Sequence, residues 1–356
     1  MKIIFSGGGT LGPVTPLLAI KEVLEKKDKK IEFVWVGTKT GPEKELVKKY
    51  NIPFLAISSG KFRRYLSFWN FTDLFKICFG FLQSFKILWK EKPDLCISAG
   101  GFVSVPVHFI AWIMGVPTWI HQQDVKVGLS NKIMSFFAIK ITTALEEGVV
   151  NFSAKKVEWL GNPVREEILI GNKEKVFQGF GLKSDLPVVF VMGGGTGSLK
   201  INRLVIESLP HLKGICQIIH LTGKNKSEDN EKFKEFENYF QFDFFTEEMK
   251  DAYAISELVV ARGGFGTLTE VAALKKAVII IPNEGHQEDN VKFLSSSGAL
   301  LSFNNNLISG VELAKVIKDL LQNKNKMKEM GERLNSLLPI AKEKDIISII
   351  DELFGR

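Results

Sequence analysis

The sequence predicts an α/β protein of two doubly wound parallel-sheet domains, and three observations carry that expectation. Short β-rich apolar runs alternate with helical patterns over almost the whole chain. Two of these runs end in glycine turns of one plan, KIIFSGGGT at the start and VVFVMGGGT in the second half. An Asn-Pro step in LGNPVREEI, residues 160–168, falls where the first series of strands stops, and a proline biases the residue before it away from helix.

At 356 residues the chain is long for one hydrophobic core and comfortable for two. Charged residues make up 24% and hydrophobic ones 45%, the balance of a folded globular protein, so a disordered chain is excluded. The first series runs KIIFS, the helical PLLAIKEVLEKK, IEFVWVG, the helical PEKELVKKY, PDLCISAGG and PTWIHQQ. The pattern restarts at VEWLGNPV and continues through PVVFVMGGG, GICQIIHLTG, ELVVARGG and AVIIIPN. EDNEKFKEFENYFQ reads as a charged helix or long loop, NKNKMKEMGERLNSLLP as a solvated late helix, and IISIIDELFGR as an amphipathic helix that can pack back on a domain. The expected division is residues 1–162, 163–340 and a C-terminal helix, 341–356, returning to the first domain.

The formal net charge of +7 favours anionic partners. Cys78, Cys96 and Cys216 are few, odd in number and far apart, so neither a disulfide frame nor a thiolate metal site is indicated. MKIIFSGGG reaches turn residues after too short an apolar run for a secretory leader. FVSVPVHFIAWIMGVPTWI, residues 102–120, has nearly membrane-spanning length, but Pro106, Pro117 and the GVP turn divide it into a buried helix and a buried strand.

A strand that ends in glycines lets backbone approach a bulky ligand, and the helix that follows offers free N–H groups and a positive dipole end to an anion. Gly7, Gly9 and Gly12 satisfy GxGxxG. A dinucleotide fold also wants a carboxylate at the end of the next strand, whereas IEFVWVG is followed by Thr38 and Lys39, and GxxxxGK[ST] is absent. Nicotinamide and ordinary nucleoside-triphosphatase chemistry therefore lose support. A third glycine-rich element, ARGGFGTLTEVAALKKAVIIIPN, carries Glu270 early in its helix. Glu270 can accept hydrogen bonds from a ribose diol, or it is a helix-start charge favoured by the dipole.

Together these pieces resemble the MurG family, GT-B glycosyltransferases that join N-acetylglucosamine to undecaprenyl-linked muramyl-pentapeptide. GGGTLGPVTPLLAI stands where the family has a GGTGGH-type loop, SAGGFVSVP resembles its GGYVSGP segment, and IHQQDVKVGLSNK its HEQN and GLTNK. LGNPVR is the family's interdomain motif, MGGGTGSLKIN corresponds to GGSQGAxxxN, ARGGFGTLTEVAA to RSGAxTxxE, and HQEDN to HQxxN. The resemblance covers nearly the whole chain and implies a GT-B fold of two Rossmann-like domains with an interdomain cleft. It implies UDP-N-acetylglucosamine and the lipid-linked acceptor as substrates, no cofactor, and a peripheral place on the cytoplasmic face of the cell membrane. A UDP-sugar epimerase of the same architecture and a catalytically impaired UDP-sugar-binding homologue are the alternatives. Nucleic acid is not expected as a partner, since no recognised module accompanies the charge.

Carried over residue by residue, the first loop, with Thr10, Leu11 and Gly12, faces the lipid pyrophosphate. Gly195 approaches the donor diphosphate and Arg165 helps neutralise it. Thr246, with Met249 beside it, holds the uracil, and Glu270 the ribose diol. Phe265, Gly266, Thr267, Leu268 and Thr269 line the sugar and phosphates, Gln287 contacts sugar hydroxyls and Asn290 fixes its loop. His286 is a loop-shaping neighbour. No DxD motif occurs, and the resemblance implies transfer without a bound metal. At the position of the family's GGTGGH histidine this chain has Pro13, which cannot act as a base. Asp124, where the family has Asn, is the substitute candidate, and it also reads as a turn-former or sugar-binding residue. His121 is a second candidate base or a buried structural histidine.

KFRRYLSFWNFTDLFKICFGFLQSFKILWKEK, residues 61–92, concentrates aromatic residues among lysines and arginines, a composition suited to an anionic membrane surface. The expectation is that Phe62 to Phe71 is exposed and the section around Phe75 to Leu88 packs inward.

Overall fold

The computed structural model describes residues 1–60, 68–194, 197–227, 233, 235–245, 247–282, 286–303 and 308–355, with side chains described except at 68–74, 176–178 and 286. The chain divides into two compact units, Met1–Arg165 with Ile340–Arg356, and Glu166–Pro339.

In the first unit β1 (Lys2–Ser6), α1 (Thr15–Lys27), β2 (Glu32–Thr38), α2 (Glu43–Lys49), β3 (Phe54–Ile57), α3 (Phe68–Glu91), β4 (Leu95–Ser98), α4 (Ser104–Ile113), β5 (Thr118–Gln122), α5 (Leu129–Met134), β6 (Lys140–Thr143) and β7 (Val157–Trp159) follow one another. The parallel sheet has the order β3-β2-β1-β4-β5-β6-β7. Ile3, Ile4 and Phe5 are fully buried because helices cover both faces, which is why β1 reads as a continuous apolar run rather than an alternating one. On one face Ile3 and Phe5 pack with Leu17, Leu18 and Val47 from α1 and α2; on the other Ile4 packs with Leu88, Val107 and Ala111 from α3 and α4.

The second unit contains α6 (Glu166–Leu169), α7 (Lys173–Phe180), β8 (Val188–Met192), α8 (Leu199–Leu212), β9 (Gln217–Leu221), β10 (Tyr239–Phe242), α9 (Glu248–Ile255), β11 (Leu258–Ala261), α10 (Phe265–Ala273), β12 (Ala277–Ile280), α11 (His286–Ser296), β13 (Leu301–Ser302), α12 (Gly310–Gln322) and α13 (Lys324–Leu337). Its sheet is also parallel, in the order β10-β9-β8-β11-β12-β13. Ser309 and Glu312 form a capping box at the start of α12, the reciprocal arrangement that satisfies two otherwise orphaned amides. The last helix, α14 (Glu343–Phe354), belongs to the first unit. Its Ile346, Ile349 and Ile350 enter the core beside Leu17 and Leu24, and Lys26 and Lys27 of α1 pair with Glu343 and Asp351.

Four sequence expectations are corrected. VEWLGNPV does not begin the second sheet: Val157–Trp159 pairs with β6, with Ile141 opposite Val157, as the edge of the first. The strand it joins, Lys-Ile-Thr-Thr, is too short and polar to stand out in the sequence, so the edge strand had no visible partner. Within EDNEKFKEFENYFQ the final residues contribute to β10, whose Phe242 belongs to an aromatic stack with Phe180 and Phe245. The helix α13 is not solvated all round, since Met327, Met330 and Leu334 are buried and Gly331 lies where a Cβ would stand 2.0 Å from the Lys275 carbonyl oxygen.

The fourth correction concerns α3. Ser84 and Leu88 point inward, but Phe75, Phe79, Leu82, Phe85 and Trp89 are exposed, the last at 66%. A 24-residue helix lying on a sheet can bury one face, and this one is apolar on two. Phe85 and Trp89 stack on each other, and Trp112 and Ile113 at the end of α4 are exposed as well. Residues 62–67 lie outside the described residues, as do the side chains of residues 68–71. No described helix is long and apolar enough to cross a membrane.

Candidate substrate sites

In each unit the strand order reverses beside the strand that carries the glycine turn: between β1 and β4 in the first, and between β8 and β11 in the second. Such switch points open a crevice at the carboxyl ends of parallel strands, where ligands of open α/β sheets bind. Gly7–Gly12 follows β1 and Gly100–Gly101 follows β4; Gly193–Ser198 follows β8 and Arg262–Gly264 follows β11.

The first loop is held from beneath by Glu43, a residue that sequence reasoning passed over. Its side chain is fully buried at the start of α2. Oε2 accepts from the Gly9 amide at 3.2 Å, and Oε1 accepts from the Thr38 amide at 2.7 Å and from the Thr38 hydroxyl. The carboxylate explains two glycines: a Cβ on Gly8 would stand 2.2 Å from Oε1, and one on Gly41 1.9 Å from Oε2. Trp35 Nε1 donates to the Gly7 carbonyl at 3.0 Å, anchoring the other end of the turn. Thr10 is exposed, while Leu11, Gly12 and Pro13 are half-buried. Gly101, at φ +97°, sits where a Cβ would come 3.0 Å from the Gly8 carbonyl oxygen, so the two loops touch.

The loop after β5 is built by amide side chains. Asn131 Nδ2 donates to Gln122 Oε1 at 2.7 Å, and Gln122 Nε2 donates to the Asp124 carbonyl at 2.7 Å. This relay fixes the turn that carries Asp124, which is half-buried. His121 is structural. It is fully buried, its Nδ1 lies 2.9 Å from Thr142 Oγ1, and Trp119 Nε1 donates to that same oxygen. An indole N–H can only donate, so the Thr142 hydroxyl proton is free for the histidine. Burial pushes the His121 pKa down to about 3, so it stays neutral at physiological pH. Arg165 directs Nη1 to the Tyr50 hydroxyl at 2.8 Å, within the first unit.

In the second unit Gly194, at φ +76°, packs against the Arg262 guanidinium, whose Nη2 would be 2.7 Å from a Cβ placed there. Arg262 Nε is buried with no protein partner among the described residues, and burial lowers the arginine pKa from its ordinary value; an arginine nonetheless remains cationic at neutral pH. Two residues on, Gly264 is the N-cap of α10 without a side-chain cap, leaving first-turn amides and the positive dipole end for a ligand. Arg262 has no role among the sequence expectations; the signal for it in the sequence is its position at a strand end before a glycine turn.

The remaining donor-motif residues are distributed unequally. Phe265, Leu268 and Thr269 are buried, whereas Gly266, Thr267 and Glu270 are half-buried. Thr269 Oγ1 donates back to the Gly266 carbonyl at 2.8 Å, so its hydroxyl serves the helix. Glu270 Oε2 accepts from Tyr253 at 3.0 Å. Gln287 Nε2 lies 4.0 Å from the point where a Cβ on Gly264 would stand, beside the start of α10, and Asn290 is buried one turn further along α11. Met249 is half-buried on α9; Gly195 and Thr246 lie outside the described residues. Phe245, next to Thr246, stacks on Phe180 and Phe190. Asn202, the asparagine of the second glycine motif, donates to the Thr222 carbonyl at 3.0 Å, and its Oδ1 lies 3.1 Å from His220 Nε2. That buried pair ties α8 to the end of β9 and holds the floor of the loop.

Residues 3–143 match the glycosyltransferase family 28 N-terminal domain and residues 188–348 the glycosyltransferase family 28 C-terminal domain. The chain is 37% identical over 353 residues to a UDP-N-acetylglucosamine–N-acetylmuramyl-(pentapeptide) pyrophosphoryl-undecaprenol N-acetylglucosamine transferase of Clostridium perfringens, covering 96% of this chain and 98% of that protein. It is 36% identical over 356 residues to transferase 2 of the same description in Bacillus cereus, covering 99% of both. Among solved structures it is similar to Acinetobacter baumannii MurG, with a TM-score of 0.72, 22% identity and 99% of each chain covered. UDP-GlcNAc 2-epimerase from Neisseria meningitidis gives 0.71 at 15% identity over 100% of each chain. At these identities the structural likenesses establish the fold, which is GT-B.

Proposed function

The chain belongs to glycosyltransferase family 28, among the MurG-type transferases, and on that premise we propose the roles its residues play in moving N-acetylglucosamine from UDP to lipid-linked muramyl-pentapeptide. The observation that carries the assignment is the end-to-end identity with such transferases; the site geometry supports the division of labour. The acceptor's 4-hydroxyl attacks the anomeric carbon, the bond to the diphosphate oxygen breaks, and UDP departs with inversion. Negative charge grows on the diphosphate as that bond lengthens. The amides at the start of α10, the Arg262 guanidinium and Arg165 are the groups suited to stabilise it, and preorganised donors aimed at developing charge are usually the largest single contribution to such a step.

Glu270 holds the ribose diol, Thr246 and Met249 the uracil, Gln287 the sugar hydroxyls, and Gly195, Gly266 and Thr267 the diphosphate side. Thr10, Leu11 and Gly12 form the acceptor loop. Asp124 takes the proton from the attacking hydroxyl: Pro13 has none to exchange, and His121 is sealed in the core. With these groups carrying the charge, transfer proceeds without a divalent ion. Incubation with UDP-N-acetylglucosamine and a short-chain lipid-linked acceptor should release UDP and form the disaccharide at the same rate in chelator. Turnover of the donor without acceptor would instead favour a UDP-sugar epimerase.

The exposed face of α3, continued by Trp112 and Ile113, suits a bilayer boundary. Burying one large apolar side chain is worth about 1.5–3 kcal/mol, and each lysine near an anionic surface adds roughly 1 kcal/mol; Lys76, Lys86 and Lys90 lie on the same helix. The +7 charge thus answers to lipid and sugar diphosphate rather than nucleic acid, and the enzyme works peripherally at the cytoplasmic face of the membrane. A Phe79→Asp, Leu82→Asp, Trp89→Asp variant should lose about 100-fold or more in affinity for vesicles containing anionic lipid. Its turnover of a soluble short-chain acceptor should stay near wild type. Unchanged vesicle binding would remove the membrane role of this face.

A further inference from the structure

The geometry points to Tyr253 as the positioning residue that makes Glu270 selective for a ribonucleotide, an inference that rests on Glu270 binding the ribose diol. Tyr253 projects from α9 into the core and is fully buried, its ring edge-on to Phe190 of β8 at 5.3 Å and 88°. Its hydroxyl lies against Glu270 Oε2 at 3.0 Å and Met192 Sδ at 3.6 Å. A buried phenol needs a partner for its proton, and a carboxylate oxygen is a far better acceptor than a thioether. The proton therefore goes to Glu270.

The consequence is a carboxylate held in one rotamer. Glu270 stands half-buried on α10 with Oε2 held from behind, and because the carboxylate is planar, restraining one oxygen narrows the directions open to the other. Two adjacent acceptors in a set direction are what a vicinal diol requires, since each hydroxyl donates once. Met192 is the last residue of β8 and immediately precedes the second glycine loop, and Thr267 Oγ1 also lies 3.9 Å from its sulfur. Tyr253 thereby connects the strand end that leads to the phosphates with the carboxylate that faces the sugar of the nucleoside. Without the phenol proton the Glu270 side chain loses one of the contacts that orient it, and the penalty falls on diol recognition.

The test is calorimetric titration of UDP and 2′-deoxyuridine diphosphate into the full chain as wild type, Tyr253→Phe and Glu270→Ala. The wild type should prefer UDP at least tenfold. Glu270→Ala should abolish the preference, and Tyr253→Phe, which keeps the ring and its packing, should reduce it about fivefold while binding of the deoxy compound changes little. If Tyr253→Phe weakens both nucleotides by one factor, or leaves the preference intact while Glu270→Ala removes it, Tyr253 does not position the carboxylate. If Glu270→Ala itself retains the preference, the ribose reading of Glu270 falls, and the role of Tyr253 falls with it.

Discussion

Replacing Asp124 with Asn should lower turnover at saturating substrates by roughly two to four powers of ten, the range general-base help supplies to a reacting hydroxyl. Donor affinity should stay within a few-fold of wild type, because the loss belongs to the chemical step and to the acceptor side. The surroundings of the residue support this reading. The Asn131–Gln122 relay reaches Asp124 through its main-chain carbonyl, an acceptor that Asn at this position keeps. His121, two strands from the edge of its sheet, cannot rescue the variant, because a fully buried imidazole with a pKa near 3 neither meets the substrate nor exchanges protons with it. Single-turnover rates with saturating acceptor are the direct measurement. An Asn variant that turns over at the wild-type rate would leave Asp124 with the sugar-binding role of the family's asparagine.

Replacing Glu43 with Ala should unfold the first unit's acceptor loop and cost about 3–5 kcal/mol of stability. Three donors, the amides of Gly9 and Thr38 and the Thr38 hydroxyl, lose their acceptor in a dry site. Each buried polar group left unpaired costs about 1–3 kcal/mol, and in a domain of this size 1 kcal/mol moves the melting temperature by roughly 2–4 °C. A fall of about 10 °C in thermal unfolding, with acceptor KM raised more than donor KM, is the expected result. Gln, which keeps one acceptor oxygen, should recover most of the stability. Equal effects on both substrates would mean that the clamp supports the fold without shaping the loop.

The framework of the candidate site was legible because its glycine turns come in ordered local motifs. Glycines at a strand end announce close backbone approach, and the ARGGFG turn with Glu270 behind it places a carboxylate on the first turns of a helix whatever the rest of the chain does. The partners that orient these groups were not legible. Glu43 looks like one more charge in PEKELVKK, yet it is the fully buried one. Tyr253 reads as a core aromatic in KDAYAIS, and its hydroxyl acquires meaning only when α9 and α10 pack against β8. The α3 helix failed for the opposite reason: with apolar residues on two faces, its sequence could not say which one the sheet would take.

By itself the sequence determined the two parallel sheets, the glycine turns and the transferase family, because hydrophobic period, turn chemistry and motif order are local properties of the chain. Tertiary structure decided which sheet received Val157–Trp159, which aromatic face of α3 stayed outside and which buried side chains hold the loops. Those outcomes depend on contacts between residues far apart in the chain, where burial and hydrogen-bond satisfaction are settled by packing and leave no periodic trace.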